Sequence, residues 1–446
     1  MAPRLFGTDG VRGRAGEYPL DRTTVRRLGA ALVRVLPAQG SQPTLLIGRD
    51  TRESGVWLER ELAHGARSAG ARVVSAGVLP TPAIAYLTRT HDVTLGAVIS
   101  ASHNPFEDNG IKVFSGGGQK FTEELERQVE AEIADGAWSV DDREAGEVER
   151  IDLSADYLAH LREILPDAGP LRGARLVVDC ANGATHEVAP TLFTSLGFDV
   201  DLLGCAPDGR NINLECGSTH PDGMARRVRE IGAAAGVAFD GDGDRAILAD
   251  EQGSIVDGDA VMLMCARQLK REGRLRGDTV VATVMSNIGL ELALRESGIG
   301  LRRTQVGDKY VMEEMLKQGF SLGGEQSGHV IFSDYLFTGD GLATALNVLR
   351  VMISTGRPLS SLAGELVSFP QVLLNVRVRE RQPLDRVAAI RDVLADVERR
   401  LGGQGRLLVR YSGTEPLLRI MLEGRDRDEI GRWAREIGEV VQRELA

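Results

Sequence analysis

Apolar positions in this chain fall into short blocks whose spacing changes along the sequence. TLLIGRD (44–50) is an apolar run of strand length, followed by a helical spacing through Trp57, Leu58 and Leu62, then Gly70 and a second strand-like run, ARVVSAGV. The same order returns in ARLVVDCANGATHEVAPTLFTSLGFDVDLL (174–203) and in DTVVATVMSNIGLELALRESGIGLRRTQVG (278–307). Strand, polar loop, helix closed near a glycine, strand is the pattern of a right-handed crossover in a parallel or mixed sheet. Three α/β domains of similar build are the economical reading.

Past about residue 366 the pattern differs. PQVLLNVRVRE reads as a strand, DRVAAIRDVLADVERRL as an amphipathic helix, RLLVRYS and PLLRIMLEG as two strands, and DEIGRWAREIGEVVQREL as a second helix. This predicts a small α+β domain. The stretches DGAWSVDDREAGEVER (135–150), EQGSIVDGD (251–259) and ISTGRPLSSLAGELVSFP (353–370) suit the boundaries. The expected domains are therefore 1–150, 151–252, 253–365 and 366–446.

Composition narrows the classes. With 446 residues, 42% apolar and 26% charged, the chain has the profile of a folded, water-soluble protein. Its net charge of -11 argues against general nucleic-acid binding. The start, MAPRLFGTDGVRG, has no apolar secretory core, and no segment approaches a membrane span, so the cytoplasm is the expected address. Cys180, Cys205, Cys216 and Cys265 show no C-x-x-C spacing and read as reduced thiols. Only five residues are lysines, Lys112 among them, ten positions after Ser102.

Four stretches carry chemistry. VISASHNPFEDNGIKVF (98–114) is an apolar run broken by Ser102 and His103. A serine beside a histidine suggests a nucleophile and its base, but neighbouring side chains on an extended chain point opposite ways, so adjacency is poor evidence for that pairing. GVAFDGDGDRAILADE brings Asp240, Asp242 and Asp244 round one point on a backbone that its glycines let bend, a set of hard oxygens suited to Mg²⁺ or Ca²⁺. An EF-hand loop shares the carboxylate spacing, with Glu251 at position 12, but Arg245 stands where that loop needs glycine. Three carboxylates leave positions open on a six-coordinate ion, and a phosphoryl group on Ser102 would fill one and be transferred to an incoming hydroxyl.

In SLGGEQSGHVIF (321–332), Glu325 and Ser327 have the spacing to bond adjacent sugar hydroxyls, with a plain glycine-rich turn as the alternative; His329 reads either as structural or as a proton shuttle. In VRYSGTEPLLRIMLEG (409–424), Arg410, Ser412, Gly413, Thr414 and Arg419 make the chemistry of a phosphate clamp.

From FGTDGVRG to RYSGTEP, these motifs together resemble the α-D-phosphohexomutase superfamily, and Gln326 and Gly413 resemble its glucosamine branch. The resemblance implies four domains around a central cleft, three α/β with mixed sheets and a last α+β, and a magnesium-dependent interconversion of glucosamine 6-phosphate and glucosamine 1-phosphate through a phosphoserine. It implies Ser102 as the phosphorylated residue, beside a magnesium loop of Asp240, Asp242 and Asp244. Lys112 and His329 are then the candidate acid and base, and Arg12 and Arg245 steady the transferring phosphate. Glu325 and Ser327 hold the sugar, with Lys309 adding contacts, and the arginine loop binds the phosphate that is not reacting. A phosphorylated amino sugar is the expected partner, without nucleic acid or membrane, in a possible homodimer.

Overall fold

A computed structural model describes the whole chain except residues 1–3, 8, 37–41, 413–415 and 446. The three segments read as strand, helix and strand do pair in parallel: Thr44–Arg49 with Arg72–Val78, Arg175–Asp179 with Asp199–Leu203, and Thr279–Thr283 with Gly300–Thr304. Each is the first half of a longer repeat. After it come a second helix and a third strand, which lies parallel to the first: Leu95–Ile99, Ala235–Phe239 and Leu322–Gly324. A hairpin then leads to a fourth, antiparallel strand: Asp108–Ser115, Ala246–Ala249 and Val330–Phe332. The spatial order fourth, third, first, second is the same in all three sheets.

The repeat places the chemistry. Leu95–Ile99 and Ala235–Phe239 are buried at every position, as parallel strands covered on both faces are, so polar side chains wait until the strand ends. Three of the four chemical stretches are these third-to-fourth-strand loops, with Ser102 in the first, the aspartates in the second, and Glu325 to His329 in the third.

Val11–Arg14 and Glu149–Arg150 flank the first sheet, and Ile255–Val256 flanks the second, which thereby runs past the expected limit at 252. Beneath the first sheet, Leu28, Leu32, Leu45, Ile47, Leu58 and Leu62 form one core, and a Leu62→Ala cavity there would cost about 2–5 kcal/mol. Helices Arg22–Val35 and Gly55–Ser68 meet backbone to backbone, since a Cβ on Gly65 would lie 1.9 Å from the Arg26 carbonyl oxygen.

Residues 1–285 and 298–365 form one compact unit, and 286–297 with 366–446 a second. The segment 286–297 thus interrupts the expected 253–365 domain: the Asn287 side chain donates to the Phe369 carbonyl and accepts from its N–H, both at 2.9 Å. The second unit is the predicted α+β fold. Its antiparallel sheet runs Gln371–Arg377, Leu417–Glu423, Arg406–Tyr411, covered by helices Ala388–Leu401 and Arg427–Leu445, with Ile390, Val397, Ile420, Leu422 and Ile437 in the core. Among the described residues no helix is long and apolar enough to cross a membrane.

Candidate active site

Where strand Leu95–Ile99 ends, the backbone turns through a left-handed Ser102 at φ 54°. Few residues other than glycine adopt that conformation. It breaks the alternation expected of an extended chain, and His103 Nδ1 lies 3.3 Å from Ser102 Oγ. Burial and the nearby cations Arg245 and Arg12 lower the His103 pKa to about 4. Ser102 is 1% exposed, and its hydroxyl donates to Asp240 Oδ2 at 2.6 Å.

The aspartate loop lies against this turn because of a glycine. A Cβ on Gly241 would stand 2.6 Å from the Ser102 carbonyl oxygen. Asp240, Asp242 and Asp244 are buried, each with a ligand oxygen within 4.8 Å of the others. Asp242 Oδ1 has no hydrogen-bond partner although buried. Orphaned buried oxygens are costly, so the set fits a divalent cation. Burial and the two neighbouring carboxylates push the Asp240 pKa well up. The EF-hand alternative falls: strands flank the loop on both sides, and Glu251 turns away to bond Ser360.

Lys112, 1% exposed, points its ammonium into the well, 2.8 Å from Asp242, 2.9 Å from Asp244 and 3.0 Å from Asp9. Burial alone would lower its pKa, but the three carboxylates hold it well above the ordinary value. The contacts continue. Asp9 takes Lys120 at 2.6 Å, Lys120 pairs with Asp308, and His329 lies 3.5 Å from both Asp308 and Asp244. Acidic and basic groups alternate round a closed ring: Asp244, Lys112, Asp9, Lys120, Asp308, His329.

Both nitrogens of His329 are engaged. The Gly339 N–H donates to Nε2 at 3.0 Å, so the neutral ring carries its proton on Nδ1, facing Asp244. Burial would lower its pKa, but Asp244 and Asp308 raise it.

Beside the well lies a hollow of about 490 Å³, lined among others by Arg12, His103, Arg245, Asp308, Glu325 and His329. Four of these were expected at the site from sequence. Arg245 Nε lies 3.8 Å from Asp244, and Arg12 donates to the Ala101 carbonyl at 3.4 Å. Glu325 accepts the Gly307 N–H at 3.1 Å, while the exposed Ser327 hydroxyl reaches its other oxygen at 3.5 Å. Lys309 was expected to touch the sugar. It is 4% exposed, bonds Glu126 at 2.8 Å and does not line this hollow. Gln326, the residue tied to the glucosamine branch, bonds Asp257 at 3.0 Å, the cap of helix Gly258–Arg271.

Sequence reasoning did not single out Asp9, His103, Lys120 and Asp308 as site residues. FGTDGVRG and VGDKYV contained two of them, and Lys120 is one of only five lysines, but nothing local says what each would face.

In the C-terminal unit, Arg410 and Arg419 stand directly opposite on paired strands, Arg419 donates to Ser412 Oγ at 3.4 Å, and Arg381 donates to the Ser412 carbonyl at 2.7 Å. Guanidiniums at paired positions can grip one anion between them. Gly413 and Thr414 lie outside the described residues.

A buried serine hydroxyl on a carboxylate well that fits a divalent cation, beside a hollow carrying guanidiniums, is the constellation of a phosphoryl-transfer enzyme. The models of the phosphoglucomutase/phosphomannomutase family match along the chain, alpha/beta/alpha domain I at residues 3–139, domain II at 155–253, domain III at 257–369 and the C-terminal domain at 373–440. The chain belongs to this family, and its chemistry is that of an isomerase working by phosphoryl transfer.

A phosphoglucosamine mutase from Desulfovibrio desulfuricans is 49% identical over 100% of both chains. A phosphoglucomutase/phosphomannomutase family protein from Burkholderia thailandensis has a similar crystal structure, with TM-score 0.79 and 25% identity over 99% of this chain and 98% of that one. The fold also matches N-acetylphosphoglucosamine mutase from Aspergillus fumigatus, solved with GlcNAc-6P and magnesium, at TM-score 0.66 and 18% identity over 99% and 96%.

Proposed function

We propose that the chain interconverts glucosamine 6-phosphate and glucosamine 1-phosphate by way of a phosphorylated Ser102 and a glucosamine 1,6-bisphosphate. The observation that carries this is Ser102 Oγ, held 2.6 Å from Asp240 at the edge of the carboxylate well. The substrate rests on the full-length similarity to phosphoglucosamine mutases.

In the forward direction the bond from phosphorus to Ser102 Oγ breaks as one to the sugar O1 forms. The bisphosphate turns over, and its O6 phosphoryl group returns to Oγ. Each transfer moves one proton from the accepting hydroxyl to the oxygen left behind, and His103 Nδ1, 3.3 Å from Oγ, is placed to relay it. Of the two expected proton carriers, His329 lines the hollow and Lys112 does not. Lys112, bound by three carboxylates, supports better a role as fixed positive charge.

Asp240, Asp242 and Asp244 would hold Mg²⁺, which when bound draws charge from the phosphoryl oxygens. Glu325, with Ser327, would grip hydroxyls presented alike in both orientations of the sugar, and Arg12 and Arg245 would steady the phosphoryl group. Arg410, Ser412, Gly413, Thr414 and Arg419 would take the idle phosphate.

The test is incubation with glucosamine 6-phosphate, Mg²⁺ and a trace of bisphosphate, beside the glucose and mannose phosphates. Isomerisation fastest on the amino sugar is expected, and Ser102→Ala should lose at least about ten-thousand-fold in rate with its fold intact. Release of inorganic phosphate instead would make the protein a sugar phosphatase. A faster reaction on the glucose or mannose phosphates would refute the substrate.

A further inference from the structure

The left-handed Ser102 is held through its carbonyl. Two donors from different sheets converge on it: Arg52 Nη2 at 3.1 Å and Asn213 Nδ2 at 2.9 Å. The same two nitrogens reach the Asn104 carbonyl, at 2.6 and 3.2 Å. Arg52 sits on the loop after strand Thr44–Arg49, fully buried on Asp50, and so belongs to the sheet that carries the serine. Asn213 comes from the second sheet's side, the side of the aspartates. Its own backbone is left-handed at φ 59°, and its N–H is tied to the Ala181 carbonyl at 2.9 Å. Ala184 N–H in turn donates to the Gly241 carbonyl at 2.8 Å, inside the aspartate loop. One short loop, 180–184, thus anchors both Asn213 and Gly241, and both bear on the Ser102 carbonyl oxygen from its far side.

We infer that Asn213 is a positioning residue for the reaction: its amide fixes the serine turn in register with the aspartate well, so that Oγ meets the carboxylates in a conformation the serine backbone would not keep unaided. The physical case is that a non-glycine residue at positive φ costs free energy and persists only where its surroundings over-determine it. Here the over-determination comes from both sides, Arg52 from the serine's own sheet and Asn213 from the side of the aspartates. A side-chain amide suits the task because it donates two hydrogens, matching two carbonyls, and adds no charge beside a phosphoryl group. Displacement of a reacting atom by about 1 Å costs on the order of a hundred-fold in rate, which sets the scale of the effect.

The inference rests on the reading of Ser102 as phosphoryl carrier, and its test keeps the two apart. Asn213→Asp conserves shape but turns lone pairs toward both carbonyls, and Asn213→Ala removes the contacts without repulsion. In the full-length protein with Mg²⁺, both should lower kcat, the aspartate by about a hundred-fold and the alanine by about ten-fold, with KM for glucosamine 6-phosphate within about two-fold of wild type. Rapid-quench transfer of ³²P from loaded Ser102 to the sugar should slow in step with kcat. The inference is overturned if folded Asn213→Asp transfers phosphate at the wild-type rate. It is equally overturned if activity falls only as far as the folded fraction does, measured by near-ultraviolet circular dichroism of the same samples. An active Ser102→Ala variant would instead bring down the carrier reading, and the inference with it.

Discussion

In the aspartate well, Asp240, Asp242 and Asp244 are almost wholly buried, and a single ammonium stands against two of them. Around Ser412, guanidiniums gather on guanidiniums: Arg410 is exposed, Arg419 lies opposite it, and Arg381 reaches the same loop. The well encloses opposite charges, so each group there fixes its neighbours and removing one strands the rest in low dielectric. The arginine loop keeps like charges near solvent, so a change there costs the fold little and falls on whatever anion binds. One region encloses its opposite charges inside the folded chain; the other gathers guanidiniums beside a loop at the surface.

The largest expected break of this contrast is Lys112→Met. It leaves Asp9, Asp242 and Asp244 without their shared cation, and should cost about 3–5 kcal/mol of stability and at least about a hundred-fold in rate. Thermal melts with and without Mg²⁺ check it, the ion recovering part of the lost Tm. An unchanged Tm would show that the well is not closed by charge.

Asp340 tests the buried region by pH. Burial holds its carboxyl up to about 6, against hydrogen bonds from Ala343 N–H and Tyr157. A carboxyl whose folded pKa lies above its unfolded one favours the folded state most below about pH 4, and that contribution is lost as pH rises through about 6. The shift amounts to roughly 3 kcal/mol, and Asp340→Asn should flatten that part of the pH dependence in urea titrations from pH 4 to 7. Parallel curves for the two proteins would refute it.

On the other side of the comparison, Arg419→Ala should raise KM about ten-fold while moving stability by less than about 1 kcal/mol. A large loss of Tm with unchanged KM would place that arginine with the buried type. Smallest is Gln326→Met, which gives up one hydrogen bond to Asp257 and should cost about 1 kcal/mol without altering the preference for amino sugar, because the side chain is spent on a helix cap. A changed preference in a substrate panel would overturn that.

The residues announced by local pattern were readable in advance. Glycines among aspartates, or a serine at the end of an apolar strand, declare a turn and its chemistry together, and both proved to be loops between third and fourth strands. The repeat itself was half legible, because the first helix of each unit is framed by two clear strands, whereas Leu322–Gly324 and Val330–Phe332 are too short to show alternation. Solitary charged residues were not legible. Lys120 meets Asp9 across 111 positions and Asp308 across 188, and no spacing rule reaches that far. The contact between Ser102 and His103 is not legible in the sequence for a backbone reason, since one left-handed residue undoes an alternation that holds only along a strand.

The ring from Asp244 round to His329 takes its members from points scattered between residues 9 and 329 of 446. A ribosome delivers Asp9, Lys112 and Lys120 first and His329 last, while domains fold as they emerge. A nascent chain stalled before residue 308 therefore carries the serine and the aspartates but lacks the last two groups of the circuit. Incomplete translation products inherit the motif without the finished machine.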